Sequence, residues 1–584
     1  MKGSVYITAS YMITALGEGV KANIDAIFRG QTGVRLVSKP EMYKTPVMIG
    51  LIDDSIYSSL RSDYGTLYTK SELLAIDCIS KALTGVPQCD GRTGLVIASA
   101  KGNIDFIEKH CQCGPYVPES DEPVLFGGMS RRIGEFHGIK EEDIYLISNA
   151  CISGVSAIVA ARRMILSGKY DRVIVVGVDV QNKFIISGFA SFKSLSQELC
   201  RPYDISRCGL NLGEACGAII LDKKSFAGSV AIIGGAISDD ANHISGPSRT
   251  GDGLYFSIKG AMDEGGVSAD MIDMLQMHGT ATIYNDEMES KAAALVGLQN
   301  VPVQSLKPYF GHTMGASGVI ETIIAAEELK TGILAGTRGF SELGVPMSLN
   351  VSASNKSISG AEYFIKTASG FGGTNAAVLL SLNHDVPVQS NIPLMKVVRR
   401  LEIASGKVNV DSKVVYEDVH ADDFGDFIRN AYKFRGENNM KFYKMDDLSK
   451  LAYMASEWLF DGICYEETEC AIVMSGKYGS LDSDMKHQHI IDSEGADAAS
   501  PAIFVYTLPN VAAGEISIRH HIKGENTWFY SADVSMSDIR EYSALVSASA
   551  HLKYCIVAHI DYIAGEYSAI FELLAPEYPL AKLD

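Results

Sequence analysis

Hydrophobic and polar positions change period repeatedly along this chain. Short runs rich in β-branched residues alternate with longer stretches of helical character, which predicts a layered α/β architecture. The clearest strands are Leu95-Val96-Ile97-Ala98, Tyr145-Leu146-Ile147, Val173-Ile174-Val175-Val176 and Ala218-Ile219-Ile220-Leu221. The alternation breaks at Asp385-Val386-Pro387-Val388-Gln389-Ser390, which reads as a linker. The chain is therefore divided into a first domain over 1–384, a linker over 385–395 and a second domain over 396–584.

The second domain echoes the first. Tyr68-Thr69-Lys70-Ser71-Glu72 and Phe442-Tyr443-Lys444-Met445-Asp446 each lead into a helical run. Thr93-Gly94-Leu95-Val96-Ile97-Ala98-Ser99 has a counterpart in Cys470-Ala471-Ile472-Val473-Met474-Ser475. Tyr145 to Cys151 forms a strand and turn that opens a helix ending near Gly168, followed by a strand from Arg172 to Val178. Thr527 to Asp533, a helix through Ala550 and the strand Tyr554 to Ala558 repeat that unit. Asp533 stands roughly where Cys151 stands, so the tail reads as a half-copy without the thiol.

Bulk properties narrow the functions available. The chain has 584 residues, more than one hydrophobic core usually serves. Its net charge of −19 and the lack of a dense basic run argue against nucleic-acid binding. No stretch is long and apolar enough to span a bilayer and no signal peptide is apparent, so a cytoplasmic location is expected. The 11 cysteines are scattered and show no paired zinc-like spacing, Cys111 and Cys113 being the only close pair; reduced thiols and no metal are expected.

Cys151 lies between a strand and the first turn of a helix. Unpaired N–H groups and the helix dipole there favour negative charge, which predicts a depressed thiol pKa. Ala150, Ser153 and Gly154 leave room for a thioester to approach. A cysteine in such a place is, taken alone, more often a buried structural residue. His278 follows an apolar run in Met277-His278-Gly279-Thr280-Ala281-Thr282, and His312 sits in the glycine-rich turn Lys307-Pro308-Tyr309-Phe310-Gly311-His312-Thr313-Met314-Gly315. Either histidine alone is more often a core or surface residue.

Together these segments resemble the β-ketoacyl synthases of the thiolase-like superfamily. The likeness covers nearly all of 1–384 and rests on five ordered matches. These are Cys151, His278, His312, the block Arg201-Pro202-Tyr203-Asp204 with Gly213-Glu214, and Thr367-Ala368-Ser369-Gly370-Phe371-Gly372-Gly373-Thr374-Asn375. The resemblance implies a five-layer α-β-α-β-α fold, with the tail an α/β half-copy of it. It also implies decarboxylative Claisen condensation between carrier-bound malonyl and an acyl group held on Cys151. Backbone N–H groups of Cys151 and Phe371 would form one oxyanion hole, and His278 and His312 would stabilise an enolate. Lys307 and Glu321 match a supporting charged pair, and Phe371 a gating aromatic. Thr280 and Thr282 match residues that bind the phosphopantetheine arm, with Gly370 and Gly372 lining the substrate path.

The resemblance implies no cofactor of the enzyme's own, because the acyl carrier protein brings the phosphopantetheine arm. It implies pairing as a homodimer or as a ketosynthase-type heterodimer, through the half that holds the nucleophile strand. The tail is then expected to act as a pseudo-partner or to tune the acyl cavity; an appendage that only adds stability is the alternative. Arg131, Arg132 and Lys444 are candidates for docking an acidic carrier. Cys208 and Ala215-Cys216 depart from the family pattern, as does Met129-Ser130-Arg131-Arg132, whereas Thr507-Leu508-Pro509-Asn510-Val511-Ala512-Ala513-Gly514 in the tail keeps it better. Two other functions stay open: a non-catalytic chain-length or assembly subunit, and a Cys–His hydrolase, which leaves the second histidine unexplained. Whether the product is a fatty acid, a polyene or a polyketide is not written in the sequence.

Overall fold

A computed structural model describes residues 1–110, 118–119, 122–530 and 536–578. Asp533, Cys111 and Cys113 lie outside the described residues. Five strands build a first sheet: β1 (Val5–Thr14), β2 (Thr93–Ala98), β3 (Ile144–Ile147), β4 (Arg172–Asp179) and β5 (Ala215–Asp222). Their spatial order is β3-β2-β4-β5-β1, with β2 parallel to β3 and β4, and β5 antiparallel to β4 and β1. All four strands expected from the sequence fall inside these elements.

A second sheet contains β6 (Val230–Asp239), β7 (Met274–Gln276), β8 (Pro302–Gln304), β9 (Tyr363–Ser369) and β10 (Thr374–Ser381). It runs β6-β10-β9-β7-β8 and joins the first sheet where Val5 of β1 pairs with Ile232 of β6. Helices Ser153–Leu166 and Ser317–Thr331 lie between the two sheets, and both are buried along nearly their whole length. Helix Lys70–Leu83 covers the outer face of the first sheet, while Asp252–Gly265 and Ile283–Val296 lie outside the second. The result is the five-layer α-β-α-β-α arrangement.

The tail adds β11 (Leu394–Ala404), β12 (Cys470–Gly476), β13 (Asn526–Tyr530), β14 (Tyr554–Ile563) and β15 (Glu566–Glu577). Their order, β13-β12-β14-β15-β11, reproduces the first sheet in both order and strand sense. The helices that precede the two central strands are capped alike. Thr69 accepts from the Glu72 N–H at 3.1 Å, and Asp446 accepts from the Ser449 N–H at 2.9 Å.

The two parts are not separate bodies. β13 pairs antiparallel with β3, setting Phe529 opposite Ile147 and Tyr530 opposite Leu146, so the tail sheet continues the first sheet through the strand that leads to Cys151. Two large apolar clusters cross this junction, one joining Leu146 and Ile133 to Trp528 and Tyr453, the other joining Ile158 to Val473 and Phe529. β11 starts at Leu394, inside the segment read as linker. Before it, the chain is pinned to the N-terminal edge by Ser4 N–H to Val386 O at 3.0 Å and a Lys2–Gln389 bridge.

Candidate active site

Cys151 stands at the N-terminal end of helix Ser153–Leu166, preceded by Ala150 in a left-handed conformation at φ 48°. His312 stands in the turn ahead of helix Ser317–Thr331, two residues before Met314, which is left-handed at φ 49° as Ala150 is ahead of the other helix. The two helices meet through glycines. A Cβ on Gly318 would lie 2.3 Å from the Val155 nitrogen, and one on Gly154 would lie 2.8 Å from the Gly315 oxygen. Without side chains there, the helix ends approach closely enough to set the Cys151 sulfur 3.1 Å from His312 Nε2.

His278 follows β7, where its backbone N–H donates to Glu289 Oε1 at 2.6 Å and the next N–H, from Gly279, donates to Glu289 Oε2 at 2.8 Å. These bonds hold its ring edge-to-face against His312, centroids 4.9 Å apart. The reactive atoms of Cys151, His278 and His312 all lie within 4.8 Å of one another. Three side chains distant in sequence therefore converge on one point.

Behind the histidines, Glu321 accepts from Lys307 through Oε1 and lies 2.5 Å from Lys366 Nζ through Oε2, with all three side chains buried. Lys366 was not anticipated. Its signal in the sequence is a single charge inside the otherwise uncharged run Tyr363–Ser369. Burial pushes Glu321 upward, but Lys307 and Lys366 together hold it below the ordinary carboxylate range. Burial first, then the lysine charges, holds both imidazoles well below their ordinary range, with His312 acting on His278 as well. Both rings are therefore neutral near pH 7, and each keeps one N–H to donate.

The expected depression of the Cys151 pKa is not found. Burial pushes the thiol up to about 12, against the opposing pull of Lys307 and of the Cys151 and Phe371 N–H groups. A helix end favours negative charge only modestly, and desolvation of a sulfur anion outweighs it here. The same two amides that face the sulfur are the pair expected to form the oxyanion hole.

Phe371 lies in the turn between β9 and β10. A Cβ on Gly370 would come 3.2 Å from the Cys151 nitrogen, and Gly372 has φ 89°. The ring of Phe371 lies 6.3 Å from Phe189 in a stacked arrangement and 5.4 Å from Phe192. Phe189 in turn meets His312 and, from the tail, Phe504 at 5.6 Å. A cavity of about 380 Å³ opens onto Cys151, His278, His312 and Phe371. Thr280 and Thr282 line it, their hydroxyls 2.8 Å apart, and Cys208, Lys193 and the exposed Tyr284 stand along its walls and mouth.

Other sequence expectations fare differently. Asp204 is structural, accepting from the Ser341 and Glu342 N–H groups at 2.6 and 3.0 Å. Arg131 and Arg132 do not line the cavity; they pair with Glu141 and with the buried Glu72. Lys444 is exposed on the tail, away from the cavity lining.

Comparison with known proteins agrees with this geometry. The β-ketoacyl synthase N-terminal domain matches residues 92–227 and the C-terminal domain residues 230–341. A 3-oxoacyl-[acyl-carrier-protein] synthase 2 from Vibrio cholerae is 30% identical over 49% of this chain and 75% of its own length. A putative mitochondrial 3-oxoacyl-[acyl-carrier-protein] synthase from Schizosaccharomyces pombe is 26% identical, over 64% of this chain and 98% of its own. Among solved structures, a PfaC keto synthase–chain length factor superposes with a TM-score of 0.77 over 99% of this chain and 78% of that one, at 14% identity, a likeness of fold. The chain belongs to the β-ketoacyl synthase family. Its fold extends the family's catalytic unit with a second, continuous part.

Proposed function

We propose that the protein is an elongating β-ketoacyl synthase that condenses carrier-bound malonyl with an acyl group held on Cys151. The observation that carries this reading is the meeting of the Cys151 sulfur, two neutral imidazoles and two inward amides in one cavity. In the first step the sulfur attacks the thioester carbonyl of an acyl carrier. The Cys151 and Phe371 N–H groups stabilise the oxyanion, and collapse releases the carrier thiol, which takes the proton lost by Cys151. In the second step malonyl-carrier loses carbon dioxide, and its enolate oxygen receives N–H donation from His278 and His312. The enolate carbon attacks the Cys151 acyl carbonyl, giving β-ketoacyl-carrier and a thiolate that is reprotonated.

The cavity mouth would admit the phosphopantetheine arm past Thr280 and Thr282, with Gly370 leaving its path clear, whereas Gly372, expected to line that path, packs against Asn510 of the tail outside the cavity lining; no cofactor of the enzyme's own enters the scheme. Lys307, Lys366 and Glu321 fix the charge behind the histidines. We assign residues 1–384 as the catalytic unit and the tail as a degenerate half-copy that serves as its built-in partner, since β13 occupies the edge of β3 that a second subunit would need. A cytosolic enzyme that draws on an acyl carrier protein fits this scheme, and among the described residues no helix is long and apolar enough to cross a membrane. A purely non-catalytic subunit would have no need of the complete site.

Replacing His278 separates the two steps. His278→Ala should still form the acyl-enzyme on Cys151, while malonyl decarboxylation falls on the order of a hundredfold or more. Equal loss of both steps would remove the enolate role from His278.

A further inference from the structure

The oxyanion hole is held from two sides, and one of them is the tail. Asn149, two residues before Cys151, accepts from the Trp528 N–H at 2.7 Å and donates to Asn526 O at 2.9 Å, so β13 clamps the approach to the nucleophile. On the other side, Asn510 donates through Nδ2 to the Phe371 carbonyl at 2.8 Å. Helix Asn510–His520 reaches that carbonyl because Gly514 permits contact: a Cβ there would lie 2.6 Å from the Gly372 oxygen. Gly370 N–H donates to Thr374 O at 2.9 Å and Gly372 N–H to Ile244 O at 2.6 Å, which fixes the rest of the turn. The Phe371 carbonyl accepts a long bond from the Thr374 hydroxyl at 3.4 Å, and the tail supplies its shorter donor.

Asn510 is fully buried, yet its Oδ1 has no hydrogen-bond partner among the described residues. A buried amide half satisfied is a net cost to stability unless its other half does something specific. Building on the condensing role above, we propose that Asn510 is a positioning residue for acyl transfer. By fixing the Phe371 carbonyl, it limits rotation about the Phe371 backbone and keeps the Phe371 N–H aimed at the oxyanion that forms above the Cys151 sulfur. The tail then does more than cover an edge strand: it completes the catalytic unit's electrostatics, and it acts on the first step, not on the histidine-stabilised enolate.

The test compares two steps in the full chain. Asn510→Leu keeps the branched shape, removes the donor and also removes the orphaned acceptor, so the fold should tolerate it; Asn510→Ala serves as a second variant. With single-turnover acylation from acyl-carrier thioester, the rate constant should fall about tenfold or more in both variants. KM for the acyl carrier should stay within about twofold, and malonyl decarboxylation should fall at least threefold less than acylation. Unchanged acylation in Asn510→Leu, or equal loss in both steps, overturns the assignment. Failure of the condensing role itself is visible separately, as absence of acyl-enzyme in the unaltered protein.

Discussion

Burial and charge pull the Cys151 thiol in opposite directions, and burial prevails. With its pKa pushed up to about 12, the resting group is a thiol hydrogen-bonded toward a neutral His312, so deprotonation must accompany attack on the carbonyl. The sign gives a direct expectation: below its pKa, thiolate rises about tenfold per pH unit. Alkylation of Cys151 by iodoacetamide, followed by intact mass, should therefore climb steadily from pH 7 to pH 10; a plateau near pH 8 would mean a thiol free of this burial. At this scale the reactive side chains were legible because each sits in a motif of small residues with little packing use. Lys366 and Asn510 were not. Their roles depend on Glu321 and Phe371 lying beside them in space, which spacing along the chain does not encode.

The site is assembled by the ends of elements. Cys151 lies in the turn that opens helix Ser153–Leu166 and His312 just ahead of the turn that opens helix Ser317–Thr331, and Gly154 and Gly318 let the two helix starts touch. Gly318→Ala forces a Cβ against the backbone of residues 154 and 155. It should cost about 1–3 kcal/mol of stability through overpacking and should reduce acyl transfer by widening the gap between sulfur and imidazole. Thermal unfolding and acylation kinetics check both; an unaltered midpoint with full activity would show that the approach is not tight. Strands β2 to β5 were readable from short apolar runs rich in β-branched residues, and helix Lys70–Leu83 from the helical run after Thr69; the structure adds the capping box between Thr69 and Glu72. The turn carrying Phe371 was recognisable by glycines alone, and its contact with Asn510 joins residues 139 apart, beyond any local pattern.

Across the whole molecule, two sheets of the same order and strand sense fuse at β3 and β13 into one continuous surface. The internal echoes at 93–99 with 470–475, and at 145–151 with 527–533, mark strands at corresponding places in the two sheets, although Asp533 is outside the described residues. What the sequence left undecided was whether the tail would stand apart. Shared apolar clusters and the buried pair of Arg163 with Glu525, 2.6 Å apart, make it part of one body. Phe504 brings the tail into the aromatic wall beside Phe189 as well. An enzyme built this way should turn over as a complete unit. The most direct test of the condensing role is intact mass spectrometry of the full chain, first with acyl-carrier substrate and then with malonyl-carrier, against Cys151→Ala. The account predicts an acyl adduct that is absent from Cys151→Ala and disappears on malonyl-carrier addition as a two-carbon-longer β-ketoacyl-carrier forms. An adduct retained by Cys151→Ala, or one released only as free acid, would contradict it.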